Sequence, residues 1–177
     1  MNNMSQVWSE INKVVNVVNP ASQSSTAAGV ITGDIVNLEN YKKLTYIVQT
    51  GASAANIPTI TVYAGETSTG ATTEIAYKYR TQVKAADATS ASGDVPGVLT
   101  DTTGDGFAIT TAKAGGVYII EVDPSTVAAA DATDQTYDHV KIVLTNSTAT
   151  VAAQIYGVLA VLSEPRYPQA ILQTAID

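Results

Sequence analysis

Few side chains in this chain could carry out chemistry, and their spacing decides what each could do. His139 is the sole histidine and directly follows Asp138. A histidine oriented by a carboxylate, with a serine nearby, is the seed of a nucleophilic triad. In a strand, however, neighbouring side chains point to opposite faces, so Asp138 is not expected to orient His139. Alternation instead groups His139 with Tyr137 and Lys141 on a solvent-facing side. Asp101-Thr102-Thr103-Gly104-Asp105-Gly106 has the carboxylates and the bend of a calcium loop. Such a loop needs a ligand at its third position and a bidentate Glu at its twelfth, and those places hold Thr103 and Ala112. The Asp-Gly step reads instead as a turn between strands. Asp123, Asp131, Asp134 and Asp138 are strung along a loop whose spacing fixes no geometry. Glu74 and Glu121 could pair as in glycoside hydrolysis, but both sit where a solvated strand face is the better account. No phosphate-cradling glycine motif occurs; Gly115-Gly116 precedes a strand-like run. The absence of cysteine removes thiolate zinc sites, iron–sulfur clusters and cysteine nucleophiles together. The residues therefore imply no catalytic group, no cofactor and no metal, and the chain reads as non-enzymatic.

The elements that would hold any site are set by composition and periodicity. The 177 residues are 45% hydrophobic and only 14% charged, enough to bury a core of about one domain. Nine basic against sixteen acidic residues give a net charge of −7, with Lys42-Lys43 the densest basic pair. Clustered cations are what release counterions from phosphates, so direct nucleic-acid binding is disfavoured. The longest apolar run, Val151 to Leu162, contains Gln154 and Gly157 and is far short of the about twenty residues of a membrane span. The first residues hold Glu10 and Lys13 within their apolar stretch, so no signal-peptide core is expected there.

Near the N-terminus, Trp8, Ile11, Val15 and Val18 recur at helical spacing, with Ser5 placed to cap and Pro20 to stop. A small, polar stretch to Gly29 follows, so residues 1–28 are expected to be a helical arm with its linker. Residues 29–168 then break into short β-rich runs between turn residues, and 169–177 form an extended tail. The predicted strands are Val30–Leu38, Lys43–Thr50, Thr59–Ala64, Glu74–Val83, Phe107–Ala112, Val117–Val122, Tyr137–Thr145 and Thr150–Leu162. In Glu74–Arg80 the apolar face is Ile75, Tyr77 and Tyr79; in Tyr137–Leu144 it is Val140, Ile142 and Leu144. About eight strands without a convincing internal helix predict an all-β, antiparallel β-sandwich of jelly-roll type. The stretches Ala85–Val95 and Pro124–Thr136 are expected to be exposed loops.

Two regions are candidates for meeting a partner. Trp8, the only tryptophan, lies with Ile11, Val15 and Val18 on the arm, where one aromatic can anchor an amphipathic helix. Val151 to Leu162 is apolar on both faces, which fits a central strand or a face meeting another subunit, with Tyr156 on it and Arg166 and Tyr167 just beyond.

Several stretches resemble the small β-sandwich virion proteins of tailed bacteriophages. They are Asn40-Tyr-Lys-Lys-Leu-Thr-Tyr-Ile-Val48, Thr73-Glu-Ile-Ala-Tyr-Lys-Tyr-Arg80, Ala114-Gly-Gly-Val-Tyr-Ile-Ile-Glu-Val122, Tyr137-Asp-His-Val-Lys-Ile142 and Leu162-Ser-Glu-Pro-Arg-Tyr-Pro168. The resemblance is one of pattern and order over residues 30–170. It implies a structural protein, a head decoration, cement or auxiliary capsid protein, assembling as a homo-oligomer on the major capsid protein or another virion protein. It places that assembly in the host cytoplasm, with no nucleic-acid or membrane partner. The alternative is a carbohydrate- or receptor-binding module of a head fibre or tail, whose sugar platform would be drawn from Tyr63, Tyr77, Tyr79, Tyr118 and Tyr156.

Overall fold

The computed structural model describes residues 7–23, 29–51, 58–82, 95–109, 115–146, 154–167, 172 and 174–176. Two antiparallel sheets face each other. In chain order the elements are α1 (Trp8–Ile11), β1 (Asn12–Gln23), β2 (Val30–Thr32), β3 (Val36–Asn37), β4 (Tyr41–Thr50), β5 (Pro58–Gly65), β6 (Thr73–Ile75), β7 (Lys78–Gln82), β8 (Thr100–Asp101), β9 (Phe107–Ala108), β10 (Val117–Val122), α2 (Pro124–Ala129), β11 (His139–Asn146) and β12 (Gln154–Pro165). The first sheet runs β1-β12-β4-β10-β7-β8 and the second β2-β11-β5-β6, with β3 also on β11 and β9 on β5. Pairing is nested: the first strand with the last, β2 and β3 with β11, β4 with β10, β5 with β6. That nesting is a jelly roll, as expected.

The N-terminal segment departs from expectation. Among the described residues of this segment, helix is confined to the single turn of α1, closed by Glu10 Oε2 accepting from the Val7 amide at 3.0 Å and by Asn12 donating to the Trp8 carbonyl at 2.9 Å. From Asn12 the chain is a strand hydrogen-bonded to β12, and Val15, Val17 and Val18 are buried in the sandwich. The run Val14-Val15-Asn16-Val17-Val18 is stiff at χ1 and suits a pleated surface better than a helix. A register shift between Asn16 and Val18 turns two successive valines inward, which is what imitated helical spacing.

Two further departures concern the middle of the chain. The predicted strand Glu74–Val83 is split at Ala76-Tyr77, where it leaves the second sheet as β6 and enters the first as β7. Thr102 staples this corner: its Oγ1 accepts from the Tyr77 amide at 3.0 Å, and its own amide donates to the Tyr77 carbonyl at 2.8 Å. Pro124–Thr136, expected to be a loop, opens with α2, which has Asp123 as N-cap, Pro124 at its first turn and Val127 buried. The predicted strand segment 110–112 and most of Ala85–Val95 lie outside the described residues.

Tyrosines bridge the two sheets. Tyr46 donates to the Val140 carbonyl at 3.2 Å, Tyr77 to the Ile60 carbonyl at 2.6 Å and Tyr156 to Asn146 Oδ1 at 3.2 Å. Tyr46 and Tyr156 cross the apolar layer and satisfy their hydroxyls on the opposite sheet, and Tyr77 reaches β5 from the corner between β6 and β7. Burial pushes the phenols of Tyr118 and Tyr156 up to about 12 and those of Tyr46 and Tyr77 higher still. Below the ordinary value of 10.0 the phenols are neutral in both states; above it the unfolded chain releases protons that the folded one holds. Stability present below that pH is therefore lost as pH rises past it. In an alkaline titration the buried phenolates should appear together with loss of the sheet circular dichroism. Full phenolate formation with the sheet signal intact would contradict these placements.

Candidate functional site

The polar groups flagged by spacing are mostly engaged in holding the fold. His139 is buried, not solvent-facing, and Asp138 does reach it: the carboxylate lies 2.5 Å from Nδ1. Face alternation fails here because β11 begins at His139, leaving Asp138 in the preceding turn. On the other side, Nε2 is 3.4 Å from the Asn37 amide nitrogen. A proton on Nδ1 satisfies both contacts, so the nitrogen that would serve a nucleophile is taken by Asn37. The pair ties β11 to β3, whose Asn37 amide also donates to the Ala175 carbonyl at 2.9 Å.

The acidic sets resolve in the same way. Asp101 forms an ion pair with Lys78 across β7 and β8. Asp123 caps α2 by accepting from the Ser125 amide at 2.8 Å. Asp131 accepts from the amides of Thr133, Asp134 and Thr136 and from the Thr136 hydroxyl. Those donors, led by the Thr133 and Thr136 amides, lower its carboxyl to about 2. Glu74 accepts from the Tyr63 hydroxyl at 2.9 Å. Among the described residues no three His, Cys, Asp or Glu side chains converge as a metal site would require. Among the same residues no helix is long and apolar enough to cross a membrane. A cleft of about 510 Å³ opens where β4 begins, but its Lys43 and Lys78 are already paired with Glu164 and Asp101.

The proposed tyrosine platform does not form. Tyr77, Tyr118 and Tyr156 are core residues, and Tyr79 stacks on Phe107 at a centroid distance of 4.0 Å. Tyr63 lies instead on the outer face of β5, where its hydroxyl donates to Glu74, so the five rings do not share one surface.

The seven candidate contact residues divide into two groups. Val15, Val18 and Tyr156 are buried in the chain's own core, so they are corrected from surface to interior; pairing of β1 with β12 is the reason. Trp8 (57% exposed), Tyr167 (65% exposed), Ile11 and Arg166 remain at the surface, Ile11 half-buried. Trp8 and Ile11 are on α1, which lies against β12, and Arg166 and Tyr167 follow directly after that strand. The start of β1 lies antiparallel to the end of β12, with Asn12 opposite Ser163, so α1 sits against the strand from which Arg166 and Tyr167 emerge. The Arg166 amide donates to the Asn40 carbonyl at 2.9 Å, fixing that exit.

From there an apolar surface continues over the outer face of the first sheet. Val14, Ile155 and Leu159 are 46%, 54% and 41% exposed there. The register sets Leu159 opposite Ile47 and Ile47 opposite Ile119, so the apolar row crosses three strands. The sequence flagged both faces of the last strand, but not Ile47 or Ile119. The signal lay in Tyr46-Ile47-Val48 and Tyr118-Ile119-Ile120, where both parities are apolar. Antiparallel sheets ordinarily turn a polar face to water, so this one is unusual.

No family model matches this chain, and no curated protein does. Among solved structures, it is similar to a chain of the infectious bursal disease virus Gx strain at 12% identity and a TM-score of 0.26, covering 87% of this chain and 40% of that one. The Gt strain of the same virus gives 10% identity and a TM-score of 0.25, with 94% and 43% covered. The structural neighbours are thus viral and weak. The chain spans less than half of their length, and TM-scores this low carry no functional argument.

Proposed function

We propose that this chain is a non-enzymatic virion structural protein of a tailed bacteriophage, a decoration or auxiliary protein that binds the major capsid lattice. The observation that supports it most is the placing of α1, with Trp8 and Ile11, against β12, with Arg166 and Tyr167 directly after that strand. An exposed tryptophan with an arginine and a tyrosine has the composition of an interface hot spot. The sequence pattern that resembles small phage sandwich proteins points the same way. Polar groups that could have suggested catalysis serve instead as caps, pairs and loop ties.

The test is co-sedimentation of the purified chain with capsids assembled without it. Trp8→Ala should weaken binding by about 2 kcal/mol, near thirtyfold, because a buried aromatic anchor contributes on that scale. Circular dichroism should not change, since Trp8 is outside the core. Wild-type binding by Trp8→Ala, or no binding by the wild type, would sink this reading.

A further inference from the structure

We propose that the outer face of the first sheet pairs with the same face of a second copy of this chain. The inference rests on the reading above of an assembling structural protein, and names one partner of that assembly. Apolar Val14, Leu159, Ile155, Ile47 and Ile119 cover this surface from the edge strand β1 to β10.

Charge selects the occupant. Among the described residues, and apart from Arg166 directly after β12, the face carries Lys43, Lys78 and Arg80 against Glu121, Asp101 and Glu164, three of each sign, in a chain of net charge −7. Lys43 and Lys78 are paired within the face, with Glu164 and Asp101, and Arg80 donates to the Gly97 carbonyl at 3.0 Å. Two acidic copies would repel through most of their surfaces, but not through this one. A strongly charged partner, conversely, finds no unbalanced charge here to select it.

Size agrees. Six strands of 12, 12, 10, 6, 5 and 2 residues, spaced by about 4.8 Å and rising about 3.3 Å per residue, give a face of roughly 700 Å². A standard stable interface buries about 800 Å² per partner. A two-fold contact needs a surface complementary to itself, and an apolar row bordered by balanced charges meets that need.

Sedimentation velocity of the isolated chain at micromolar concentration should show a dimer or a larger assembly built from it. Leu159→Asp should weaken self-association by about thirtyfold or more, with Ile155→Lys as a second variant. Both positions are surface-exposed, so circular dichroism should stay unchanged. Because the chain has no cysteine, Leu159→Cys offers a unique spin-label site. Labels there should show dipolar coupling between copies, and labels at Lys141→Cys on the second sheet should not. A monomer at high micromolar concentration, or association indifferent to both substitutions, overturns the pairing. The capsid assay separates the two readings. A monomeric chain that co-sediments overturns self-association alone, whereas a Leu159-sensitive dimer that does not co-sediment upholds it and removes capsid attachment.

Discussion

Removing residues 1–28 should abolish folding of the sandwich, whereas removing residues 1–11 should leave it folded. The longer deletion takes away β1, which pairs with β12 from Asn12 opposite Ser163 to Gln23 opposite Gln154. It also removes Val15, Val17 and Val18 from the core. Burial of three valines contributes about 5–9 kcal/mol at 1.5–3 kcal/mol each. That matches much of the about 5–15 kcal/mol that holds a whole domain together. The deletion also strips β12 of a neighbour, converting a central strand with an apolar outer face into an unprotected edge, which invites aggregation. Of the described residues the shorter deletion removes only Val7 and the turn of α1, whose carboxylate and amide contacts are local. Circular dichroism and thermal melts of the two truncations decide this. A cooperative melt for the longer one would show that β1 is an appendage, and a collapse of the shorter one would make α1 part of the core.

Gly106→Ala should lower stability by about 2–5 kcal/mol, although the residue sits in a surface turn. Gly106 has φ +75°, and a Cβ there would lie 2.0 Å from the Ile60 carbonyl oxygen. The left-handed backbone costs an alanine about 1–2 kcal/mol. Forcing the strand away adds an overpacking cost of about 1–3 kcal/mol. The Ile60 carbonyl cannot yield freely, because it accepts the buried Tyr77 hydroxyl at 2.6 Å. In a chain of this size the loss corresponds to a fall in Tm of about 4–20 °C. Gly104→Ala, two residues earlier, is the control: its nearest contact would be the Glu74 Cβ at an ordinary 3.6 Å, and its Tm should barely move. Equal effects at both positions would mean that close approach to Ile60 is not what demands glycine at 106. The Asp-Thr-Thr-Gly-Asp-Gly string thus keeps its glycine for backbone contact, independently of any ion.

Local alternation in the chain determined the β class and the inward faces of Glu74–Arg80 and Tyr137–Leu144, while the nesting that needs β1 as its outermost strand was left to tertiary pairing. Two-residue periodicity is a property of the strand itself and survives even the corner at Ala76-Tyr77, where Ile75 and Tyr77 both stay buried. Only the tertiary structure decided matters that depend on which segments become neighbours. Val14–Val18 is compatible with a helix until β12 offers a hydrogen-bonded edge and a core to enter, and that long-range offer makes it a strand. Asp138 and His139 sit adjacent in the chain, but their pairing follows from where β11 starts and from Asn37 arriving opposite. The tyrosine hydroxyls needed acceptors on a second sheet before the rings could turn inward. Trp8, on α1, lies against the strand that leads to Tyr167 because antiparallel pairing of the first strand with the last brings the two ends of the chain's sandwich together. Spacing along a chain records which faces a segment has; it cannot record what those faces will meet.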